Sequence, residues 1–171
     1  MDKVLITADN IQSAKEILSL MNNIVTSPKQ VILLHVQQIV GNTMMTAMMS
    51  SSELETLKES IEDTDHKEAL DIKAEKVLAH YRKQLQDRGM NNIKSVITAG
   101  HPSDEILKVA EQENVDLIVV GCSGKSRLKR FATGCVSSDV EKNAKVRVLI
   151  TKNNGCGRHA YSWIRREAYA L

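Results

Sequence analysis

The segment from Gly121 to Ser137 gathers the residue types that hold a phosphate chain. Gly121 and Gly124 are expected directly after a strand, where glycine permits positive φ and close backbone approach to a ligand. Gly134 is expected to open the next helix. Cys135, Val136 and Ser137 would then present first-turn N–H groups, which attract anions. The Ser137 hydroxyl adds a donor, and Lys125, Arg127, Lys129 and Arg130 add positive charge. Together they read as a polyanion cradle of backbone amides and basic side chains. The bland alternative is a turn with glycines and solvated cations. The motif is neither a Walker A loop, which needs GxxxxGK[ST], nor a GxGxxG after the first strand.

Such a cradle needs a scaffold, and the rest of the chain supplies one. Five short β-rich runs occupy 3–8, 30–37, 93–98, 115–120 and 146–151. Near-continuous runs such as Leu117 to Val120 suit strands buried on both faces of a parallel sheet. Helical stripes lie between them. Ile11, Ala14, Ile17, Leu18, Met21, Ile24 and Val25 form one at 3.6-residue spacing. Leu70, Ala74, Val77, Leu78, Tyr81 and Leu85 form another, closed by Gly89 as a C-cap. Pro102 fits the first turn of a third, with Ile106, Leu107 and Ala110 on its apolar side. A fourth is expected over about 134–143. The strictly alternating order and right-handed crossovers predict an α/β fold: an open, doubly wound, five-stranded parallel sheet in the order 3-2-1-4-5, with helices on both faces. Ligands bind such sheets at the carboxyl ends of the strands where the winding reverses. That point lies between strand 1, ending at Ala8, Asp9 and Asn10, and strand 4, ending at Gly121.

Composition bounds the function. The 171 residues suffice for one domain, over 1–152, with a linker and tail over 153–171. A formal net charge of +2 and few aromatics give no case for a nucleic-acid partner. No apolar run approaches the roughly 18–20 residues that span a bilayer, so no membrane role is expected. No secretory signal precedes the first strand, and a cytoplasmic location is expected. Cys122, Cys135 and Cys156 have no CxxC spacing and indicate neither a disulfide framework nor a metal site. His35, on a buried strand, reads as a hydrogen-bonded core residue, His66 and His80 as surface residues of the long helix, and His101 as a local cap. Met44, Met45, Met48 and Met49 sit in a loop or lid over 40–52 and read as packing residues. The tail, with Trp163, Ile164, Arg165 and Arg166, reads as a short amphipathic helix.

The spacing Gly121-x2-Gly124-x9-Gly134 resembles the nucleotide-binding signature of the universal stress protein family, G-2x-G-9x-G-[S/T]. Val4 to Asp9 resembles that family's first strand ending in Asp, and Val31 to Val36 its second. Gly100-His101-Pro102 is similar to its entry into helix 3, and Val146 to Ile150 to its last strand. The resemblance covers about 1–152. It implies an adenine nucleotide, ATP with or without Mg2+, as cofactor. Ala8 and Asp9 would lie on the ribose or adenine side, Val36 would meet adenine, and Val120 would line the same pocket. Gly121, Gly124, Gly134, Val136 and Ser137 would hold the phosphates, to which the loop's own residues add Lys125, Arg127 and the backbone N–H of Cys135. Cys135 stands where the signature has Ser or Thr, and a thiol is the weaker donor.

No nucleophile–base pair is apparent, so no catalytic residue is assigned and no metal ligand set is proposed. The expected function is a nucleotide-binding stress-response regulator that acts through partner binding. The alternatives are a dimeric scaffold with no bound nucleotide and a slow ATPase or phosphotransferase. A homodimer through 146–151 is expected, because that strand forms a sheet edge and an uncovered apolar edge invites pairing. The resemblance implies the same contact.

Overall fold

The computed structural model describes residues 2–24, 28–37, 50, 52, 65–122, 136–152 and 161–163. Its elements run β1 (Lys3–Thr7), α1 (Ala14–Ile24), β2 (Gln30–Gln37), α2 (Asp65–Gln86), β3 (Ile93–Ala99), α3 (Pro102–Gln112), β4 (Leu117–Cys122), α4 (Val136–Asn143), β5 (Arg147–Lys152) and β6 (Tyr161–Trp163). The sheet order is β3-β2-β1-β4-β5-β6. The first five of these strands are parallel, in the expected order, and the winding reverses between β1 and β4.

The alternation of side chains across each strand explains why both sheet faces are apolar. Val4, Ile6, Val31, Leu33, Leu117, Val119 and Leu149 point to one side, where they meet Ile17, Leu18 and Met21 of α1 and Leu78, Tyr81 and Leu85 of α2. Leu5, Ile32, Leu34, Ile118, Val120, Val148 and Ile150 point to the other, against Ile106, Val109 and Ala110 of α3 and Val140 of α4. β1, β2, β4 and β5 therefore each contribute to two cores, whereas the edge strand β3 is only partly buried and carries Lys94, Ser95 and Thr98.

Helix ends follow local chemistry. Asn10 caps the turn into α1: its Oδ1 accepts from the Ser13 backbone N–H at 2.8 Å and from the Ser13 hydroxyl at 2.9 Å. At the other end of the next helix, Gly89 takes φ 81°, while the N–H of Met90 donates to Leu85 O and that of Gly89 to Gln86 O. These two bonds form a Schellman closure with glycine in the left-handed position, as the sequence predicts. Asn114, at φ 51°, closes α3 by the same pair of bonds.

Three expectations need correction. Ile11 precedes α1 and is 41% exposed, so the apolar stripe begins at Ala14. β4 runs on through Gly121 and Cys122, because Thr151 and Lys152 of β5 continue to pair with it. Gly121 is thus a strand residue rather than a turn residue. Third, the outer edge of β5 is covered. β6 pairs with it antiparallel, Leu149 opposite Trp163, Ile150 opposite Ser162 and Thr151 opposite Tyr161. Tyr161 to Trp163 is a strand, not part of a helix, because an edge of unpaired backbone groups is the strongest template within reach. Val148 and Ile150 are buried beneath α3 and α4, so what β5 offers at its edge is backbone rather than an apolar stripe.

Candidate functional site

The carboxyl end of the sheet is built around a short turn after β1. Ala8 is buried, and its N–H donates to Leu34 O at 2.8 Å. Its carbonyl lies 2.6 Å from Nδ1 of His35, a residue that is 7% exposed. A carbonyl can only accept, so Nδ1 of His35 carries the hydrogen. The next carbonyl but one, Asn10 O, accepts from the hydroxyl of Tyr81 at 3.2 Å. The turn is thereby tied to β2, to α2 and to its own helix cap. Asp9 sits between these ties and is exposed, with Oδ1 accepting from Asn10 Nδ2 at 2.9 Å. A free-facing carboxylate on a fixed backbone suits a ligand that offers hydroxyl donors, such as a ribose.

Tyr81 is fully buried, and burial with the nearby Asp9 and Glu16 carboxylates pushes its ionisation well above the ordinary phenol range.

Gly121 joins the other half of the site to this turn. A Cβ there would stand 3.3 Å from Ile17 Cδ1, 3.8 Å from Thr151 Oγ1 and 3.9 Å from Ser13 Cβ. Glycine at this position lets the first turn of α1 settle directly on the strand end. Ser13 is in turn bonded to Asn10, next to Asp9. Gly121 and Asp9 thus flank the same corner, although they lie 112 positions apart in the sequence. Val120 is buried on the α3–α4 face, and Val36 and Val136 pack on that same apolar cluster. Ser137, in the first turn of α4, is 5% exposed.

The profile of the universal stress protein family matches residues 1–152. The universal stress protein MJ0577 of Methanocaldococcus jannaschii is 33% identical over 127 residues, which span 72% of this chain and 77% of that one. This chain belongs to the universal stress protein family. The solved structure of MJ0577 superposes with a TM-score of 0.63 at 28% identity, covering 90% of this chain and 98% of the other. A family protein from Arabidopsis thaliana, solved with AMP bound, shares the fold at 19% identity with a TM-score of 0.58, covering 90% and 93%.

In this universal stress protein the structure brings together Ala8, Asp9, Val36, Val120 and Gly121 at the carboxyl edge, with Val136 and Ser137 at the start of the described part of α4. Gly124, Lys125, Arg127, Gly134 and Cys135 lie outside the described residues, as do Met44 to Met49. Among the described residues, no three His, Cys, Asp or Glu side chains converge as a metal set, and no helix is long and apolar enough to cross a membrane. Among the described residues the His101 side chain makes local contacts, its Nδ1 2.9 Å from Ser103 Oγ. His80 bonds Gln84 one turn away.

Sequence reasoning missed the residues that fix the turn. Tyr81 stood in the core stripe, and its one signal was a phenol among aliphatic neighbours. Asn10 carried the signal of an N-cap residue before an apolar stripe. A separate groove of about 570 Å3 opens at the opposite, amino end of the sheet, between α3 and the α4–β5 turn. Ala110, Val115, Ile118 and Ala144 contribute its apolar lining, and a Lys145–Glu111 ion pair of 2.7 Å lies among the polar part. It is remote from the winding reversal.

Proposed function

We propose that this chain binds an adenine nucleotide, ATP with or without Mg2+, at the carboxyl edge of the sheet. In this reading it acts as a cytoplasmic stress-response regulator through ligand-dependent partner binding. The observation that carries the reading is the corner where Gly121 lies against Ser13 and the Asp9–Asn10 turn is pinned by His35 and Tyr81. A pinned carboxylate beside a glycine near the strand's end, at a winding reversal, suits nucleotide recognition. Family membership and the AMP held by the Arabidopsis relative support the choice of adenine.

Within this site Asp9 accepts from the ribose hydroxyls, and its charge keeps the phosphates away from the turn. They run towards Gly121, Gly124, Lys125, Arg127 and the first turn of α4, where Gly134, Cys135, Val136 and Ser137 supply donors. Val36 and Val120 border the base. Among the described residues no nucleophile–base pair lies beside Asp9, and the proposed role is binding. Two copies pair along β5 once its edge is free.

Isothermal titration with ATP, ADP and AMP, with and without Mg2+, tests the reading. Binding is expected, and Asp9→Ala and Gly124→Val should each weaken it at least tenfold. No heat of binding at millimolar ligand would refute it. Cys135, in the place of the signature's hydroxyl, favours a second reading in which the pocket is vestigial and the chain is a dimeric scaffold. Protein extracted after gentle purification would then carry no nucleotide.

A further inference from the structure

We propose that β6 is an edge cap whose displacement licenses self-association: it holds the backbone edge of β5 that a second copy of the chain would need. The inference rests on the edge-pairing reading above and adds to it the device that controls the pairing.

The geometry is a competition for one row of backbone groups. β5 is six residues long and its inner edge is paired with β4 along its whole length. Its outer edge pairs with β6 at three positions only, Leu149, Ile150 and Thr151. The β5 side chains do not decide the outcome, since Val148, Leu149 and Ile150 are committed to the two cores. What remains to be won is main-chain hydrogen bonding, which any strand can supply. A second copy related by a two-fold axis must bring its own β5 antiparallel to the first. That ladder can use all six residues, against the three that β6 uses.

The short cap nevertheless holds at low concentration. β6 is joined to β5 by the eight residues 153–160, and a short tether gives an effective concentration in the millimolar range. A free partner at micromolar concentration competes at a large disadvantage. Whatever loosens β6 removes that advantage, and the longer intermolecular ladder then takes the edge. Two five-stranded sheets would become one continuous sheet.

The test uses the full-length chain. Ser162→Pro removes an N–H and imposes a turn-like φ in the middle of β6. Far-UV circular dichroism checks that the sheet and helices persist. Sedimentation velocity at micromolar concentration should give a monomer for the unaltered chain and a doubled mass for Ser162→Pro. A synthetic peptide of residues 153–171, added in excess, should return the variant to monomer. Two dimers would overturn the capping role while leaving edge pairing intact. Two monomers would overturn the edge itself as a self-association surface. A peptide that leaves a dimeric variant unchanged would show that β6 does not compete for the edge, and would overturn the proposal as well.

Discussion

Replacing Tyr81 by Phe removes one oxygen and nothing else from the support of the Asp9 turn. The ring is fully buried between α2, α1 and the sheet, so Phe keeps the packing and opens no cavity beyond the lost hydroxyl. The bond lost is the 3.2 Å contact to Asn10 O. A bond of this kind contributes about 0.5–1.5 kcal/mol net. For a chain of this size that corresponds to a fall of roughly 2–4 °C in Tm for each kcal/mol. Because Asn10 adjoins Asp9, part of the same energy should appear as weaker nucleotide binding, with a ceiling of about tenfold for 1.4 kcal/mol. Urea unfolding measures the first quantity and isothermal titration the second. A stability unchanged within about 0.3 kcal/mol would refute the tie between Tyr81 and the turn, since additive surface effects fall in that range. Unchanged affinity beside a strong effect of Asp9→Ala would show that Asp9 does not depend on the tie. The same phenol should resist ionisation until the fold opens. Its raised value means that the contribution of this phenol is complete below the ordinary phenol range and is lost as pH rises from there through the raised value. Absorbance at alkaline pH should therefore show one tyrosine titrating only with unfolding.

Gly89→Ala should cost about 1 kcal/mol in urea unfolding, because φ is 81° and nothing lies within 4 Å, so the penalty is conformational rather than steric; no loss would contradict the Schellman closure. Gly121→Val should cost about 1–3 kcal/mol by overpacking against Ile17 and Ser13, whereas Gly121→Ala needs Ile17 to yield by only a few tenths of an ångström. Equal stability of the two variants would argue against close packing of α1 on the strand end. The Asp116 carboxylate is held below its usual range chiefly by the backbone N–H groups of Lys3 and then Asp2. Its contribution is present above the unfolded-state value and lost as pH falls through the lowered one, so Asp116→Asn should flatten part of the acid limb of stability against pH. An acid limb identical to that of the unaltered chain would remove Asp116 from the account.

The parallel strands, their order and their helices were legible because each depends on local periodicity plus handedness, and Leu117 to Val120 or the Ala74-to-Leu85 stripe carries that signal within itself. Gly89 and His35 were legible for the same reason: one sits past the last apolar turn, the other inside an apolar strand. The extent of β4 was not, since only its partner Thr151 decides that Gly121 continues the ladder. β6 was hidden more deeply. Three residues have no periodicity, and their state is set by a vacant edge that exists only after five other strands have formed. The support of Asp9 was missed: Asn10 has the residue type of a helix cap, but no spacing connects Tyr81 to a turn 71 positions earlier. The glycine and basic residues of 124–135 remain a sequence expectation, and the site's described half is the half that holds the carboxylate.

The ties of β1 bear on how the chain is made. β1 is first in sequence but central in the sheet, and its far neighbour β4 lies more than 110 residues later. The Asp2 and Lys3 amides wait for Asp116, and Val4, Leu5 and Ile6 wait for Leu117, Ile118 and Val119. During synthesis β1, β2 and β3 can assemble while one flank of β1 stays open, an apolar strand with unpaired backbone groups. The nascent chain is therefore vulnerable until residue 119 has left the ribosome, and slow translation across 100–120 would lengthen that interval. Such a chain should depend on chaperones during synthesis far more than its modest length suggests.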